Sequence, residues 1–156
     1  NILFVCTGNS CRSPMAEALL RDRLGDAGGR VAVSSAGIAA AAGMEAAAFA
    51  VRALEERGVD LSGHRSRPVT RRMIEEADLV VVLSAGHREA ILRLDADAAG
   101  KTILLGALDP DRASADVADP IGGDLDRYRR SRDEIEALVE RLLVVLRDRF
   151  SIGKGL

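Results

Sequence analysis

Apolar residues along this chain form a few short, unbroken runs, and these runs predict the strands. Residues 2–5 (ILFV) and 79–83 (LVVVL) are continuous and rich in β-branched side chains, as is typical of strands buried on both faces of a sheet. Residues 31–35 and 101–105 are predicted as two further strands. We therefore expect four strands, with Cys6 at the carboxyl end of the first.

Between the predicted strands, apolar residues recur at the spacing of one helix face. Ser13 and Pro14 should open the first helix, since serine is a good N-cap and proline suits the first helical position. Gly58 is placed to end the second helix. The helices after the first are predicted at residues 44–57, 71–76 and 87–94, with a long final helix beginning near Asp124.

Strands that alternate with helices predict an α/β fold, here a single domain with a four-stranded parallel sheet and helices on both faces. The 156 residues are enough for one domain with a sizeable core. We expect the domain to span residues 1–150 and residues 151–156 to form a tail. Residues 106–123 form a long predicted loop, and loops of that length in compact domains usually have a function.

Charge and composition exclude several classes of function. The net charge of −2 gives no basic field for nucleic acid or for a membrane surface, and no apolar run is long enough to span a bilayer. We therefore expect neither nucleic acid nor membrane as a partner. His64 and His87 lie far apart and show no ligand spacing, so neither a metal nor another cofactor is predicted.

The two cysteines, Cys6 and Cys11, lie together in one short loop. This arrangement is unlike the disulfide framework of a small secreted protein. We also expect no signal peptide, because the apolar run before Cys6 is too short for the hydrophobic region of one. A reducing, cytoplasmic location is therefore predicted.

The loop after the first strand has the features of an anion-binding site. In an open α/β sheet, ligands bind at the carboxyl ends of strands, and the backbone N–H groups of such a turn can point inward as a nest. Gly8 and Asn9 tolerate positive φ, and the following helix adds its positive N-terminal end. The loop residues expected to cradle a phosphoryl group are Thr7, Gly8, Asn9, Ser10, Cys11 and Arg12.

The same loop favours a reactive sulfur at Cys6. A cysteine beside an arginine and a helix N-terminus ionises readily to the thiolate, and Arg12 has a planar fork that matches two phosphate oxygens. Cys6 would then be an activated nucleophile beneath a bound phosphoryl group. A buried structural cysteine is the plainer interpretation of the position, whereas the pattern of a P-loop nucleotide-binding protein is not met, since its second glycine and its lysine are missing.

Cysteine chemistry on a phosphoryl group also requires an acid that protonates the leaving group. The long loop supplies two Asp-Pro pairs, at Asp109 and Asp119. Asp-Pro often does no more than start a turn, and we interpret Asp109 in that way. Asp119 is therefore the candidate general acid.

At this point the sequence resembles a known family, the low-molecular-weight protein tyrosine phosphatases. Residues 6–14 (CTGNSCRSP) resemble the family's signature loop, and residues 118–123 (ADPIGG) resemble its acid loop. Residues 34–37, 63–70 and 77–84 also resemble family segments, so the resemblance covers essentially the whole chain. It implies a phosphoprotein phosphatase that acts on phosphorylated protein and releases inorganic phosphate, without a cofactor.

The resemblance also implies roles for individual residues. Cys6 would form a cysteinyl-phosphate, Arg12 would bind the phosphoryl oxygens, and Asp119 would act first as acid and then as base. Ser13 would hydrogen-bond the Cys6 thiolate. The shape of the loop would be held by Asn9 with support from Ser35 and His64, and Cys6 and Cys11 would be able to form a reversible disulfide. Outside the resemblance, His64 is expected in a turn, and His87 is expected on an exposed helix face without a role.

Two positions depart from the pattern of the tyrosine-specific members. Those members commonly have a bulky aliphatic residue where this chain has Ser10, and tyrosines after the Asp-Pro pair where this chain has residues 121–123 (IGG). The bacterial protein arginine phosphatases of the family resemble the chain more closely, because they carry a threonine at the Ser10 position and a similar acid loop. Phosphoarginine and phosphotyrosine both remain candidate substrates.

Three other functions compete with phosphatase activity. A thiol-dependent arsenate reductase on this fold has a similar first loop but needs two further cysteines to relay a disulfide, and this chain has none after Cys11. A non-catalytic phosphate-binding module would need neither a nucleophile nor an acid. A redox switch built on Cys6 and Cys11 alone would lack the usual C-x-x-C spacing.

Overall fold

The computed structural model describes residues 1–25 and 30–151, and it contains one sheet of four parallel strands. The strands are β1 (Ile2–Cys6), β2 (Val33–Gly37), β3 (Leu79–Val82) and β4 (Thr102–Leu104), and their order across the sheet is β2-β1-β3-β4. The predicted α/β fold with a four-stranded parallel sheet is confirmed. The strand order reverses direction at β1, so the loop that follows β1 lies at the switch point where such sheets bind ligands.

In the part of the chain that the structure describes, five α-helices connect and flank these strands. They are α1 (Arg12–Leu24), α2 (Ala48–Glu55), α3 (Arg71–Glu76), α4 (Ala85–Leu94) and α5 (Leu125–Phe150). Two short 3-10 helices, Ala96–Lys101 and Leu105–Leu108, stand before and after β4.

Helices cover both faces of the sheet, as the apolar runs predicted. Ile2, Phe4 and Cys6 point into a large core that α1, α2 and α5 complete, whereas Leu3 and Val5 point into a smaller core beneath α3 and α4. A strand that is apolar at every position therefore serves two cores at once. The dense packing on both sides leaves the carboxyl end of β1 as a fixed platform for the loop beyond it.

The second strand begins and ends two residues later than predicted, at Val33–Gly37 rather than residues 31–35. Its register sets Gly37 opposite Cys6. A Cβ atom at residue 37 would lie 2.5 Å from the carbonyl oxygen of Thr7, so only glycine allows the strand end to approach the loop this closely. Cross-strand register, which periodicity does not report, decided these bounds.

The second helix is shorter than predicted, Ala48–Glu55 rather than residues 44–57. The backbone N–H of Ala47 donates to the carbonyl of Ser10, and that of Met44 donates to the Ser66 hydroxyl. These backbone donors hold the segment against the loop after β1 and against the segment before α3, so the helix starts only after them. Gly58, with φ of 71°, lies in the turn that follows.

The last helix begins as predicted, because the side chain of Asp124 accepts from the N–H of Arg127 as an N-cap. It ends at Phe150, and Ser151 follows it in the left-handed conformation. Residues 152–156 of the predicted tail lie outside the described residues. Within residues 1–25 and 30–151, no helix is both long and apolar enough to cross a bilayer.

Candidate active site

The loop between β1 and α1 turns at Asn9, whose φ is 54°. Asparagine is one of the few residues that adopts this left-handed conformation at low cost. The helix then begins at Arg12 with Cys11 as the N-cap residue, whose side chain makes no capping hydrogen bond. The prediction that Ser13 caps this helix is wrong, because the Ser13 hydroxyl is used inside the loop instead.

Asn9 is fully buried, and its side chain is satisfied on every side. Its Nδ2 donates to the hydroxyls of Ser13 and Ser35, at 2.9 Å each, and its Oδ1 accepts from the backbone N–H of Arg67 at 3.0 Å. The backbone carbonyl of Asn9 lies 2.7 Å from Nε2 of His64. The left-handed turn is therefore fixed by partners that come from α1, from β2 and from the segment before α3.

Ser35 extends this network further than the sequence indicated. Its hydroxyl donates to Glu17 Oε2, and Glu17 is in turn paired with Arg21 one helical turn later. Because the Ser35 hydroxyl donates to Glu17, its oxygen is left to accept from Asn9. Glu17 and Arg67 are functional contacts that sequence reasoning missed, and no local spacing signal marks either of them.

Cys6 lies at the end of β1 and is almost completely buried. Its Sγ is 2.9 Å from the hydroxyl of Ser13. A hydroxyl at that distance can donate to a thiolate. Since Asn9 already donates to the Ser13 oxygen, the Ser13 proton is left for the sulfur.

Arg12 reaches across from α1 to the acid loop, residues 109–124. Its Nη1 donates to the carbonyl of Val117 at 2.9 Å, and its Nη2 lies 3.3 Å from Asp119 Oδ2 and 3.5 Å from Thr7 Oγ1. One arm of the guanidinium thus anchors the side chain, while the other faces the site. The structure brings the predicted phosphate-binding arginine and the predicted acid into contact.

The acid loop is anchored to the carboxyl end of β3 and to the start of α4. The N–H of Val117 donates to the carbonyl of Leu83, and Asp116 Oδ1 accepts from the N–H of Ala85 at 2.8 Å. Asp119 itself remains partly exposed, with 39% of its side chain accessible, and its Oδ1 accepts from the N–H of Ile121. Because the loop is anchored while the Asp119 carboxyl group stays accessible, that group can reach a bound substrate.

Asp109, the other Asp-Pro residue, lies in a turn away from this constellation. Its Oδ1 accepts from the N–H of Asp111 and pairs with Arg141 on α5 at 3.3 Å. These are the contacts of a turn residue, in agreement with the interpretation from the sequence.

Cys11 differs from Cys6 in its surroundings. It is buried, and its Sγ lies 3.4 Å from the Tyr128 hydroxyl and 3.5 Å from Ser10 Oγ. Burial raises the pKa of the Cys11 thiol, which keeps it protonated at neutral pH. Cys11 is therefore not positioned as the nucleophile, and both cysteines are free thiols.

His87 is not on an exposed face, and that prediction is wrong. Helix α4 begins two residues earlier than predicted, capped by the Ser84 side chain, so His87 lies in its first turn. The ring is 3% exposed, with Nε2 2.9 Å from Thr7 Oγ1. The sequence signal was present in the serine three residues before His87, which marks the N-cap.

No metal-binding cluster is evident in the described part of the chain. Among residues 1–25 and 30–151, no group of three or more His, Cys, Asp or Glu side chains converges as metal ligands would.

Cys6 lies at the carboxyl end of β1, and the Arg12 guanidinium and the Asp119 carboxyl group meet beside the loop that follows it. This is the arrangement of a cysteine-dependent phosphatase. Comparison with known proteins places the chain more narrowly. Residues 1–151 match the family described as low molecular weight phosphotyrosine protein phosphatase, and the chain belongs to that family.

The similar proteins include both protein-arginine-phosphatases and protein-tyrosine-phosphatases. The chain is 42% identical to a protein-arginine-phosphatase of Geobacillus stearothermophilus, over 90% of this chain and 92% of that protein. It is 40% identical to a low molecular weight protein-tyrosine-phosphatase of Streptomyces coelicolor, over 94% and 93%. A solved structure of the YwlE arginine phosphatase, a cysteine-to-serine mutant with a phosphorylated active-site serine, superposes with a TM-score of 0.86 at 36% identity, over 97% and 98%.

Proposed function

We propose that this protein is a phosphoprotein phosphatase in which Cys6 carries the phosphoryl group as a cysteinyl-phosphate. The observation that carries the proposal is the contact of Cys6 Sγ with the Ser13 hydroxyl at 2.9 Å, in the loop that leads to Arg12. The Ser13 hydroxyl can donate to this sulfur and hold it in place. The sulfur is then ready to attack a phosphorus atom held above it.

In the first step, the Cys6 sulfur attacks the phosphorus atom and the S–P bond forms. The bond from phosphorus to the leaving group breaks, and its electron pair goes to the leaving nitrogen or oxygen. Asp119 supplies the proton to that atom. Arg12 and the amides of the loop bind the phosphoryl oxygens while charge redistributes over them.

In the second step, Asp119, now ionised, takes a proton from water as the water oxygen attacks phosphorus. The S–P bond breaks, the thiolate of Cys6 is restored, and inorganic phosphate leaves. The cysteine-to-serine relative that carries a phosphorylated serine supports a covalent intermediate of this kind. The same carboxyl group serves both steps, since it is regenerated in its protonated form.

Release of phosphate from p-nitrophenyl phosphate, by purified protein without added metal, tests this function against its rivals. A non-catalytic phosphate-binding module would bind phosphate but release none. A redox switch would likewise give no phosphate, and a thiol-dependent reductase would consume arsenate with thiol. Turnover that depends on Cys6 supports the proposal, and a protein that binds phosphate without any turnover contradicts it.

We further propose that phosphoarginine is preferred over phosphotyrosine. Ser10 is only partly buried in the wall of the cradle, and its small hydroxyl leaves room and a hydrogen-bond partner for a guanidinium leaving group. Ile121 is 63% exposed beyond Asp119, and residues 121–123 offer no aromatic face for a phenyl ring. The arginine phosphatases among the relatives support the same assignment.

Replacement of Ser10 by isoleucine should shift this preference. An apolar wall would pack against a phenyl ring and would desolvate a guanidinium without a hydrogen bond. We expect kcat/KM to fall about tenfold for phosphoarginine peptides and to rise severalfold for phosphotyrosine peptides, as one hydrogen bond or one apolar contact allows. Both constants are measured side by side on matched peptides.

Ser10→Thr is the matched control, because it keeps the hydroxyl and adds one methyl group. It should leave the order of the two substrates unchanged. If the wild type strongly favours phosphotyrosine and Ser10→Ile changes neither constant, residue 10 does not select the leaving group.

Oxidation should inactivate the protein reversibly through Cys6 and Cys11. Peroxide converts the Cys6 thiolate to a sulfenic acid, and the Cys11 thiol then attacks that sulfur, so that the S–S bond forms and water leaves. In Cys11→Ser the sulfenic acid has no partner and proceeds to acids that thiols do not reduce. After peroxide followed by thiol, wild type should regain most of its starting activity, and Cys11→Ser much less of its own.

The measurement is recovered activity as a fraction of each protein's initial value, with the disulfide detected by mass spectrometry. Equal recovery in the two proteins would contradict a protective role for Cys11.

A phosphorylated protein substrate and a cytoplasmic location complete the proposal. Neither nucleic acid nor a membrane is proposed as a partner, since the net charge is only −2. Two free cysteines that must remain reduced for activity support a reducing compartment.

A further inference from the structure

The first turn of α4 contacts both the acid loop and the phosphate-binding loop, which is formed by residues 7–11. His87 makes the contact with the phosphate-binding loop. His87 Nε2 lies 2.9 Å from Thr7 Oγ1, and the two residues are 80 positions apart in the chain. The backbone N–H of His87 donates to Ser84 Oγ, while Asp116 of the acid loop accepts from Ala85 in the same turn. The ring is therefore held on a fixed element between the two loops.

The surroundings of the ring identify which nitrogen carries the proton. Within the described part of the chain, Nδ1 of His87 is buried and has no hydrogen-bond partner. A buried donor left without an acceptor is rarer in proteins than an acceptor left without a donor. We therefore assign the proton to Nε2, which makes His87 the donor and Thr7 Oγ1 the acceptor.

This assignment fixes what the Thr7 hydroxyl can do. Its oxygen has two acceptor positions, and Arg12 Nη2 at 3.5 Å is the second donor toward it. Because His87 and Arg12 occupy both acceptor positions of the oxygen, the Thr7 hydroxyl can form a further hydrogen bond only as a donor. Arg12 Nη2 also faces Asp119, so that proton is available beside the arm of Arg12 that faces the site.

We propose that neutral His87 is a positioning residue, which acts through the Thr7 hydroxyl to orient Arg12 and to leave the Thr7 proton as a further donor to a bound phosphoryl group. This inference rests on the proposed phosphatase function. It assigns a role to the one histidine for which the sequence suggested none.

The charges around the ring agree with a neutral imidazole. Burial, followed by the positive charge of Arg12 on α1, lowers the pKa of His87 to about 4, although Asp116 and Asp119 on the acid loop oppose the shift. Protonation at neutral pH would place a second positive charge beside Arg12. Across the neutral range His87 therefore keeps a single donor for Thr7.

A double-mutant cycle tests whether His87 acts through Thr7. His87→Leu and Thr7→Val each remove one partner of the hydrogen bond and keep similar volume. We expect each to lower kcat/KM about tenfold and to weaken inorganic phosphate binding severalfold, the effect of losing one hydrogen bond to a binding group. The double variant should show the same tenfold loss, because the second change removes an interaction that the first has already broken.

Two further variants separate positioning from folding. His87→Gln can still donate from its amide to Thr7, so it should recover most of the activity that His87→Leu loses. Ile91→Val removes a methylene group from the buried face of the same helix, and it should lower the Tm without lowering kcat/KM. A hundredfold loss in the double variant, or a His87→Gln variant as poor as His87→Leu, would overturn the proposal.

The tautomer can be measured in the wild-type protein without any assay of activity. The chain has only two histidines, so the ¹⁵N resonances of His87 and His64 are readily assigned, with His87→Gln as the reference. We expect His87 to be neutral with its proton on Nε2 at pH 7, and to titrate near pH 4. A proton on Nδ1, or a charged ring at pH 7, would overturn the assignment.

These readouts also separate this inference from the proposed function. If the wild type releases no phosphate from any phosphorylated substrate, the proposed function fails. The cycle in inorganic phosphate binding and the histidine tautomer still give an answer for His87. If turnover depends on Cys6 but the losses at His87 and Thr7 are additive, the function stands and the positioning role fails.

Discussion

Replacing Cys6 with serine should abolish turnover while binding of phosphate or vanadate remains largely intact. A serine hydroxyl stays protonated at neutral pH and is a far weaker nucleophile than a thiolate, and an alkoxide is a poor leaving group in the second step. The cradle is built from backbone amides and Arg12, none of which the substitution removes. We expect kcat to fall to the limit of detection, with the phosphate dissociation constant changed by no more than about threefold.

Cys6→Ala is the matched control for this experiment. It removes the attacking atom entirely, whereas serine can still accept a phosphoryl group and hold it. Mass spectrometry after incubation with substrate should therefore detect a phosphorylated serine in Cys6→Ser and no phosphoryl adduct in Cys6→Ala. Substantial turnover by either variant would contradict the covalent mechanism.

Replacement of Asp119 by alanine should produce the second large loss. General acid catalysis by a positioned side chain contributes about 10²–10⁴ in rate, and kcat on phosphoarginine peptides should fall within that range. The loss should be much smaller on p-nitrophenyl phosphate, whose leaving group departs without a proton. The loss in kcat is measured on both substrates at the same pH and ionic strength, so that the ratio of the two losses isolates the proton transfer.

Asp109→Ala is the control on the same loop. Asp109 also precedes a proline, but its carboxylate pairs with Arg141 rather than with the site. We expect its kcat to stay within about twofold of wild type, as for a surface ion pair. A larger loss at Asp109 than at Asp119 would show that the acid has been assigned to the wrong half of the loop.

Much of the fold was predictable from the sequence because its signals are local. Continuous apolar runs marked β1 and β3, since strands buried on both faces need apolar side chains at every position. The turn at Asn9 was equally predictable, because left-handed turns depend on a few neighbouring residues. The start of α1 was not, since the Ser13 hydroxyl contacts Cys6 instead of capping the helix. The Asp-Pro pair at Asp119 was found as a second local pattern.

What the sequence did not show were contacts between residues far apart in the chain. Cross-strand register moved β2 by two residues so that Gly37 faces Cys6, and the backbone donor of Ala47 delayed the start of α2. Neither shift changes the apolar pattern. Each depends on where another element lies, and local periodicity carries no information about that.

The clearest contrast lies in the side chains that surround the phosphate-binding loop. The sequence by itself determined that Cys6, Arg12 and Asp119 were the chemical candidates, since the reactive types and their loop positions are visible in one dimension. Only the tertiary structure decided that Glu17 accepts a hydrogen bond from Ser35 and that His87 faces Thr7. A hydrogen bond needs its two atoms within about 3 Å, and for residues 80 positions apart only the packed sheet and its helices set that distance.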